Sequence, residues 1–151
     1  MGTEILNKYV IFTLDEEEYG FDVLKILEIM RLDNLIDIPH SKDYFMGMVD
    51  VRGKVIPVID FKKKLQIQQE TSAKPDKLII VEIHNKKIGL AVDNVLSVMD
   101  FAPEEIDLGP PAVKSFHTKY ILGIGKKQDK LIILINLANV FTESEIQALN
   151  V

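Results

Sequence analysis

The two halves of this chain carry the same order of strand-like runs and glycines. A shift of 69 residues places Gly20 on Gly89 within matching apolar runs. A shift of 76 residues places Gly47 on Gly123 in the same way. Apolar strands can resemble one another by chance, but glycines that also align at both shifts favour an internal duplication. A duplicated chain is expected to fold as two similar small units.

The short runs in each half predict a mostly β fold. Each half contains about five runs rich in β-branched and aromatic residues, which is the composition of β-strands. Five short strands with one apolar set form a curled sheet or small barrel more readily than a flat sheet. A unit of about 65 residues buries only a marginal core, so the units are expected to share an apolar interface. We predict a single domain over residues 1–151, with a first unit over about 15–75, a second over about 77–141 plus the N-terminal strand, and a C-terminal helix over about 142–150.

An arginine is predicted at the tip of a hairpin in the first half. Strand-like runs over 46–51 and 55–59 flank the polar turn formed by Arg52, Gly53 and Lys54. Gly53 can take the positive φ that tight hairpins require. The turn therefore presents the Arg52 guanidinium to solvent, where it can bind a carboxylate through two hydrogen bonds.

Glu28 and Arg52 are charged residues of the first half whose counterparts in the second half are uncharged. Arg52 aligns with Gln128, and Glu28 aligns with Ser97. Because the repeated fold forms without a charge at either position, these two side chains are candidates for binding a partner. Asp50 lies two residues from Arg52 on the same strand face, so it can pair with Arg52 and compete with a partner.

Residues typical of catalysis or metal binding are sparse. The chain has no cysteine, which excludes disulfides, thiolate zinc sites and cysteine nucleophiles. His40, His84 and His117 are scattered through expected loops and turns, without the spacing of metal ligands. No serine lies in a nucleophile elbow of the G-x-S-x-G kind. We therefore predict no catalytic residue, no metal site and no cofactor.

Charged clusters leave one alternative function open. Four carboxylates between Asp100 and Asp107 can line a polar pocket, so a small β-barrel enzyme or ligand-binding protein is the alternative to an interaction module. The acidic residues at 15–18 and the lysines at 62–64 are interpreted as solvated faces. The net charge of -5 is unlike that of a nucleic-acid binder. No apolar run approaches the roughly 20 residues of a membrane span.

The hairpin stretch and its flanks form a specific set of motifs. GMVDVRG over 47–53 continues into IPVID over 56–60. Further motifs are EEYG, DVLKILEI and GLAVD, at 17–20, 22–29 and 89–93. Together they resemble the CheW family of bacterial chemotaxis coupling proteins, whose pattern at the hairpin is G-x-x-N-L-R-G-x-x-x-P-V-x-D. Asp50 and Val51 stand where the family usually has asparagine and leucine.

The resemblance implies a fold and a function. The fold is two intertwined, five-stranded SH3-like β-barrel subdomains with a hydrophobic core between them. The function is that of a non-enzymatic adaptor, which links the cytoplasmic tips of chemoreceptors to the regulatory domain of the histidine kinase CheA. Such a protein is cytoplasmic, is recruited to membrane-bound receptor arrays and is a monomer when isolated.

The resemblance also implies a binding surface. A receptor helix would lie in a groove between the two units, with apolar contact from Ile26 and its register fixed by the charges of Glu28 and Arg52. Two glycines would allow a close approach of the backbone, and Val98 would lie on the kinase-facing side. The implied partner-binding residues are Ile26, Glu28, Gly47, Arg52, Gly53 and Val98.

Overall fold

The fold is built almost entirely from β-strands, which confirms the prediction of a mostly β chain. The structure, a computed structural model, describes residues 7–67, 74–108 and 119–149. In these ranges the strands are β1 (Asn7–Leu14), β2 (Glu17–Asp22), β3 (Ile26–Arg31), β4 (Phe45–Val51), β5 (Lys54–Asp60), β6 (Lys77–Ile83), β7 (Lys86–Val92), β8 (Asn94–Phe101), β9 (Ile106–Asp107), β10 (Ile121–Lys127) and β11 (Lys130–Ile135). The α-helices of the same ranges are α1 (Phe61–Lys64) and α2 (Glu143–Ala148). None of the described helices is long and apolar enough to cross a membrane.

The hairpin turns show the repeat in the backbone as well as in the sequence. Each of the following two-residue turns has both residues at positive φ, as in type I′ turns, whose twist matches that of the strands they join. The turns are Asp15–Glu16 (49° and 72°), Arg52–Gly53 (50° and 85°), His84–Asn85 (50° and 64°) and Gln128–Asp129 (52° and 62°). Val10 faces Phe21 across the β1–β2 hairpin. Ile79 faces Leu90 across the β6–β7 hairpin, at the same shift of 69 residues.

The strands form two sheets, and each sheet takes strands from both halves of the chain. Sheet A has the order β8-β1-β2-β11-β10-β9, and sheet B has the order β3-β6-β7-β5-β4. The β1–β2 hairpin is therefore flanked by strands of the second half, and the β6–β7 hairpin by strands of the first half. The pairs β2–β11 and β5–β7, which join the two halves, are parallel.

This exchange of strands differs from the predicted division of the chain. Units over 15–75 and 77–141, with only the N-terminal strand crossing over, do not match the sheets, because β2 and the β6–β7 hairpin cross over as well. The exchange gives each apolar hairpin a ladder partner on both of its sides. A sequence pattern identifies a strand, but packing of the whole molecule selects the neighbour that completes its ladder.

The largest apolar core contains side chains from both sheets. Phe12 and Phe21 of sheet A pack with Phe61 of α1, and the ring centroids of Phe12 and Phe21 are 4.4 Å apart. Ile79 and Leu90 of sheet B belong to the same core. Two smaller cores share four pairs of repeat counterparts, namely Leu78, Ile80, Ile56 and Val58 in sheet B, and Tyr9, Ile11, Ile132 and Leu134 in sheet A. The apolar interface that the repeat predicts between two similar units is therefore present.

Helix α2 begins at a capping box, in which Thr142 and Glu145 bond each other's backbone N–H groups. The Glu145 N–H donates to Thr142 Oγ1 at 3.1 Å, and the Thr142 N–H donates to Glu145 Oε1 at 2.9 Å. The helix covers Glu143–Ala148, and position 150 of the predicted range lies outside the described residues. Ile146 and Leu149 are buried in the main core. The cap therefore starts the helix, and these two side chains hold it against the sheets.

Strand β9 lies in the stretch 102–116, whose three prolines predict a loop. Ile106–Asp107 pairs with Ile124 and Gly125 of β10. A two-residue strand carries too little alternation to be recognised from sequence. Residues 109–116 of that predicted loop lie outside the described residues.

A buried ion pair occupies positions that the sequence assigns to solvated faces. The Lys62 side chain is 1% exposed, and its Nζ lies 3.0 Å from Asp15 Oδ1 and 3.1 Å from Asp93 Oδ1. The Asp15 side chain is 7% exposed. The predicted solvation of residues 15–18 and 62–64 is therefore wrong at Asp15 and Lys62. Helix α1 points the side chain of its second residue, Lys62, toward the core. A run of three lysines in the sequence does not show which of them points inward.

Because of its buried tyrosines, the stability of the fold changes with pH in the alkaline range. Burial raises the pKa of Tyr19 to about 12, with the charge of Tyr120 adding to the effect. Burial raises the pKa of Tyr44 to about 12 as well, with a contribution from Glu145. As the pH rises above about 10, the tyrosine hydroxyls therefore lose their protons in the unfolded chain before they do so in the folded chain. The stabilisation is complete below pH 10 and is lost as the pH rises through the folded pKa values.

We expect the free energy of unfolding to fall by about 1–3 kcal/mol per pH unit above pH 10, because each tyrosine that stays protonated only in the fold contributes about 1.4 kcal/mol per unit. Urea denaturation followed by circular dichroism, between about pH 9 and pH 11, measures this slope. Tyr19→Phe should reduce the slope, since it removes one of the titrating groups. A free energy of unfolding that is constant over this range would contradict the prediction.

Candidate functional site

Arg52 and Glu28, whose counterparts Gln128 and Ser97 are uncharged, are in direct contact. Arg52 Nη1 donates to Glu28 Oε2 at 2.8 Å and Nη2 donates to Oε1 at 2.8 Å, the bidentate geometry of a guanidinium with a carboxylate. The Arg52 side chain is still 73% exposed, and that of Glu28 is 31% exposed. The pair therefore combines a fixed geometry with access from solvent.

The curl of sheet B brings these two residues together. Glu28 lies on β3, at one edge of the sheet. Arg52 lies at the tip of the hairpin that contains β4, the strand at the other edge. A sheet places its opposite edges in contact when it bends round on itself, which is the curled unit predicted from five short strands.

Asp50 has a role within the hairpin turn. Its Oδ1 accepts a hydrogen bond from the Gly53 N–H at 2.8 Å. Side chains of this kind stabilise tight turns by bonding the backbone two or three residues ahead. Arg52 forms its ion pair with Glu28, across the sheet, and not with Asp50. Asp50 therefore stabilises the turn and does not compete with a partner for Arg52, contrary to the prediction from the sequence.

The Glu28–Arg52 pair lines a cleft of about 250 Å³, which we call the sheet B cleft. Its lining residues are Leu27, Glu28, Val51, Arg52, Lys54, Ile56, Ile80 and Lys87. All of them belong to sheet B or to its hairpin turn. The cleft therefore lies on one sheet, whereas the resemblance implies a groove between the two units. Three cations and one carboxylate line it beside apolar side chains.

Two lysines of the sheet B cleft lie against each other. Close contact with the Lys54 side chain, together with its charge, lowers the pKa of Lys87, while Glu82 across the ladder opposes this effect. Among the described residues neither lysine has an ion-pair partner. Their counterparts in sheet A, Lys130 and Glu18, form an ion pair at 3.8 Å. The sheet B cleft thus keeps a positive charge that sheet A neutralises.

The other residues predicted to bind a partner lie in different environments. Ile26 is half-buried and packs against the main core. Gly53 is exposed at the hairpin tip, with no atom within 4 Å of the position that a Cβ would occupy. Val98 is 54% exposed on β8 of sheet A. The structure therefore brings Glu28, Arg52 and Gly53 together and places Val98 on the other sheet.

Gly47 is buried where two chain segments cross. An added Cβ would lie 2.2 Å from the Ile36 carbonyl oxygen, and the φ of 149° is one that residues with a side chain rarely adopt. Ile36 also exchanges two backbone hydrogen bonds with Met48, at 2.7 and 2.8 Å. The crossing explains this glycine without a contribution from a partner.

A family match that extends over most of the chain identifies the family. A model of the CheW-like domain matches residues 8–145, which is most of the 151-residue chain. The chain belongs to the CheW family. The resemblance drawn from the hairpin motif over 47–53 is thereby confirmed, and the Glu28–Arg52 pair is a feature of a CheW-like domain.

Named CheW proteins and a solved CheW structure are similar to this chain over most of their lengths. The chemotaxis protein CheW of Klebsiella aerogenes is 28% identical over 144 residues, which cover 95% of this chain and 87% of that protein. The chemotaxis protein CheW of Thermotoga maritima is 27% identical over 132 residues, with coverage of 87% and 85%. The crystal structure of the scaffolding protein TtCheW from Thermoanaerobacter tengcongensis is 38% identical, with a TM-score of 0.80 and coverage of 91% of this chain and 93% of that chain. The two-unit β fold is therefore shared with a scaffolding protein of the CheW family.

Both sheets of this CheW-family chain expose apolar side chains at equivalent positions. They are Leu27 (50% exposed), Ile29 (42%) and Val55 (60%) in sheet B, and their counterparts Leu96 (46%), Val98 (54%) and Leu131 (66%) in sheet A. Of these six, Val98 alone is among the residues predicted to bind a partner. Alternation along a strand shows which residues share a face, but not which face packs on the core. The repeat alignment contains a signal for the others, since both halves keep an apolar residue at all three positions.

Three of the four carboxylates between positions 100 and 107, on which the alternative function depends, are paired with lysines. The pairs are Asp100 with Lys8 at 3.6 Å, Glu105 with Lys127 at 3.8 Å and Asp107 with Lys126 at 3.0 Å. None of these carboxylates lines the sheet B cleft. In the described part of the chain, no three His, Asp or Glu side chains are grouped to hold a metal ion. Membership of the CheW family favours the interaction module over the enzyme.

Proposed function

We propose that this chain is a non-enzymatic adaptor of bacterial chemotaxis, which couples chemoreceptors to the histidine kinase CheA. The observation that carries the proposal is that one scaffold exposes two related apolar faces, and one of them has the Glu28–Arg52 pair. Two faces with different charges suit a protein that binds two different partners. Its relatives are named chemotaxis proteins, and a similar structure is that of a scaffolding protein.

The sheet B cleft is the face that we assign to the cytoplasmic tip of a receptor. A helix binds such a surface by laying apolar side chains along it at a spacing of three or four residues. The exposed Leu27 offers apolar contact, and the half-buried Ile26 supports the strand from the core side. The charges of Glu28 and Arg52 fix the register of the helix, and Gly53 keeps the hairpin tip free of a side chain.

The exposed face of β8 in sheet A is assigned to the regulatory domain of CheA. Leu96 and Val98 project from this strand, and Leu131 is exposed on the same sheet. The counterparts of Glu28 and Arg52 at this face are Ser97 and Gln128, so apolar contact dominates it. An apolar centre with few charges is typical of a specific protein interface.

Binding alone accounts for how such an adaptor acts in the cell. The protein is a monomer in the cytoplasm and is recruited to membrane-bound receptor arrays by its receptor face. The kinase is controlled by the position in which the bridge holds it relative to the receptor. This function needs no chemical step in the adaptor itself.

Arg52→Gln should separate receptor binding from folding. The substitution gives the hairpin the residue of its counterpart Gln128, whose φ of 52° is close to the 50° of Arg52. We expect the affinity for a receptor tip fragment to fall at least about tenfold, equivalent to about 1.4 kcal/mol, because a charge in the centre of the interface is lost. The free energy of unfolding should change by less than about 1 kcal/mol, because the ion pair is exposed. Isothermal titration calorimetry and urea denaturation measure the two quantities.

Lys126→Gln is the matched control for this variant. It removes another exposed ion pair, since Lys126 and Asp107 have side-chain exposures of 56% and 52%, and it should bind the receptor fragment like the wild type. Val98→Ser should instead weaken binding to the CheA regulatory domain. A wild-type chain that binds neither protein would overturn the proposed coupling. An unfolded Arg52→Gln variant would assign Arg52 to the fold.

A further inference from the structure

We propose that the sheet B cleft recognises a carboxylate on the receptor segment that occupies it, through Lys54 and Lys87. The segment presents an Asp or Glu about one helical turn from an apolar side chain, which contacts Leu27 and Val51. The inference rests on the proposed function, because it specifies the chemistry of the receptor partner at the same site.

The two lysines lack an ion-pair partner among the described residues, and the nearest carboxylate along the ladder, that of Glu82, lies across from Lys87. Lys54 is the first residue of β5 and Lys87 the second residue of β7, and these strands are neighbours in sheet B. Both residues line the cleft beside Arg52, whose own charge is satisfied by Glu28. Like charges held side by side destabilise each other unless an anion binds between them. A carboxylate placed in the cleft supplies that anion.

Sheet A shows that the fold does not require two lysines here. Lys130, the counterpart of Lys54, lies 3.8 Å from Glu18, the counterpart of Lys87. The β1–β2 and β6–β7 hairpins have the same register, in which Glu18 lies opposite Thr13 and Lys87 lies opposite Glu82. The lowered pKa of Lys87 agrees with an unsatisfied contact to Lys54. The difference between the sheets therefore reflects what each one binds.

The shape of the surface favours a protein segment over a small molecule. The cleft has a volume of about 250 Å³, and its apolar lining includes Leu27, which is 50% exposed, and the half-buried Val51. A small ligand is usually enclosed in a larger cavity of about 300–1,000 Å³. A neighbouring cleft of about 290 Å³ shares Lys54 and Lys87 and adds Lys86. This positive surface on a chain of net charge -5 is complementary to an acidic segment.

Lys87→Glu tests the inference, because it gives this position of sheet B the charge of its counterpart Glu18. We expect the affinity for the receptor tip fragment to fall at least about tenfold and the dependence of that affinity on salt to weaken. Affinity for the CheA regulatory domain should stay within about twofold of the wild type. The variant should keep the unfolding curve of the wild type, since Lys87 is exposed. Glu18→Lys reverses a charge at the equivalent position of sheet A and should leave receptor binding within about twofold.

A charge exchange with the partner identifies the carboxylate. Each Asp and Glu of the receptor fragment is replaced in turn by Lys, and one of these changes should restore the affinity that Lys87→Glu loses. If Lys87→Glu binds the receptor like the wild type while Arg52→Gln does not, the carboxylate inference is wrong and the proposed function stands. If the wild-type chain fails to bind the receptor fragment at all, both are wrong. Loss of kinase binding alone in Lys87→Glu would overturn the assignment of the cleft to the receptor.

Discussion

Lys62→Met should lower the free energy of unfolding by about 3–5 kcal/mol, because it leaves two carboxylates near the core without their cation. Methionine is similar to lysine in length, so the loss reflects the missing charge rather than a cavity. Urea denaturation followed by circular dichroism measures the effect. A change of this size is exceptional for a single substitution and would remove much of the stability typical of a small domain.

The ion pair of Lys62 joins three separate segments of the chain. Its Nζ donates to Asp15 Oδ1 at 3.0 Å and to Asp93 Oδ2 at 3.2 Å, and the Asp15 N–H donates to Asp93 Oδ2 at 2.7 Å. Lys62 lies in α1, directly after β5 of sheet B, while Asp15 lies in the turn between β1 and β2 of sheet A. Asp93 lies where the chain passes from sheet B to sheet A. The pair therefore holds the exchanged sheets together at one point.

The charge of Lys62 persists over the physiological pH range. Burial on its own lowers the pKa of this lysine, but hydrogen bonds and charges from Asp15 and Asp93 outweigh burial and raise it. A raised lysine pKa stabilises the fold below the unfolded value of about 10.5 and loses that effect as the pH rises through the folded value. The loss caused by Lys62→Met should therefore be constant between about pH 6 and pH 9.

Lys63→Met is the matched control, because Lys63 is the next residue of the same helix and is exposed. It should change the free energy of unfolding by no more than about 0.5 kcal/mol. Adding Asp15→Asn and Asp93→Asn to Lys62→Met should recover part of the loss, since neutral amides need no cation. Equal stability of the Lys62→Met and Lys63→Met variants would show that the buried pair makes no net contribution.

Features set by adjacent residues could be predicted from the sequence. Gly53 predicts a tight hairpin at 52–53, and Thr142 with Glu145 predicts the start of α2, because turns and caps depend on a few neighbouring side chains. Comparison of the halves also singled out Glu28 and Arg52, which the structure places in contact. Their contact itself could not be predicted, since it depends on the curl of sheet B.

Features set by distant segments could not be predicted. The inward direction of Lys62 depends on Asp15 and Asp93, which come from two other turns. The contact between Lys54 and Lys87 requires β5 and β7 to be neighbours, and that neighbourhood arises from the exchange of hairpins. The reversed charge at these positions was nevertheless visible in the sequence, since the repeat aligns Lys87 with Glu18 and Lys54 with Lys130.

Gly47→Ala should destabilise the fold by about 3 kcal/mol or more, because the new methyl group has no space and the backbone angle is unfavourable for alanine. The Cβ would lie 2.2 Å from the carbonyl oxygen of Ile36, well inside contact distance, and φ is 149°. Relief requires Ile36 to move away, which breaks its two hydrogen bonds to Met48. Urea denaturation measures the loss.

Gly53→Ala is the control that separates backbone strain from steric conflict. Gly53 also has a positive φ, of 85°, but no atom lies within 4 Å of its Cβ position. Its substitution should cost about 1 kcal/mol, the usual penalty for an L-residue in this region. Gly123, the counterpart of Gly47, should show an intermediate cost as alanine, because its Cβ would lie 2.9 Å from the Asp107 carbonyl oxygen.

The alanine variants of Gly47 and Gly53 distinguish a residue that stabilises the fold from a residue that contacts a partner. If Gly47 served the partner, Gly47→Ala would bind the receptor fragment weakly and unfold at the same urea concentration as the wild type. We expect the reverse: the midpoint of unfolding falls, and the fraction that remains folded binds with an affinity close to that of the wild type. Gly53, at the tip beside Arg52, should show the other pattern, with a small loss of stability and a larger loss of receptor affinity, because a methyl group there separates the hairpin from the helix that it contacts.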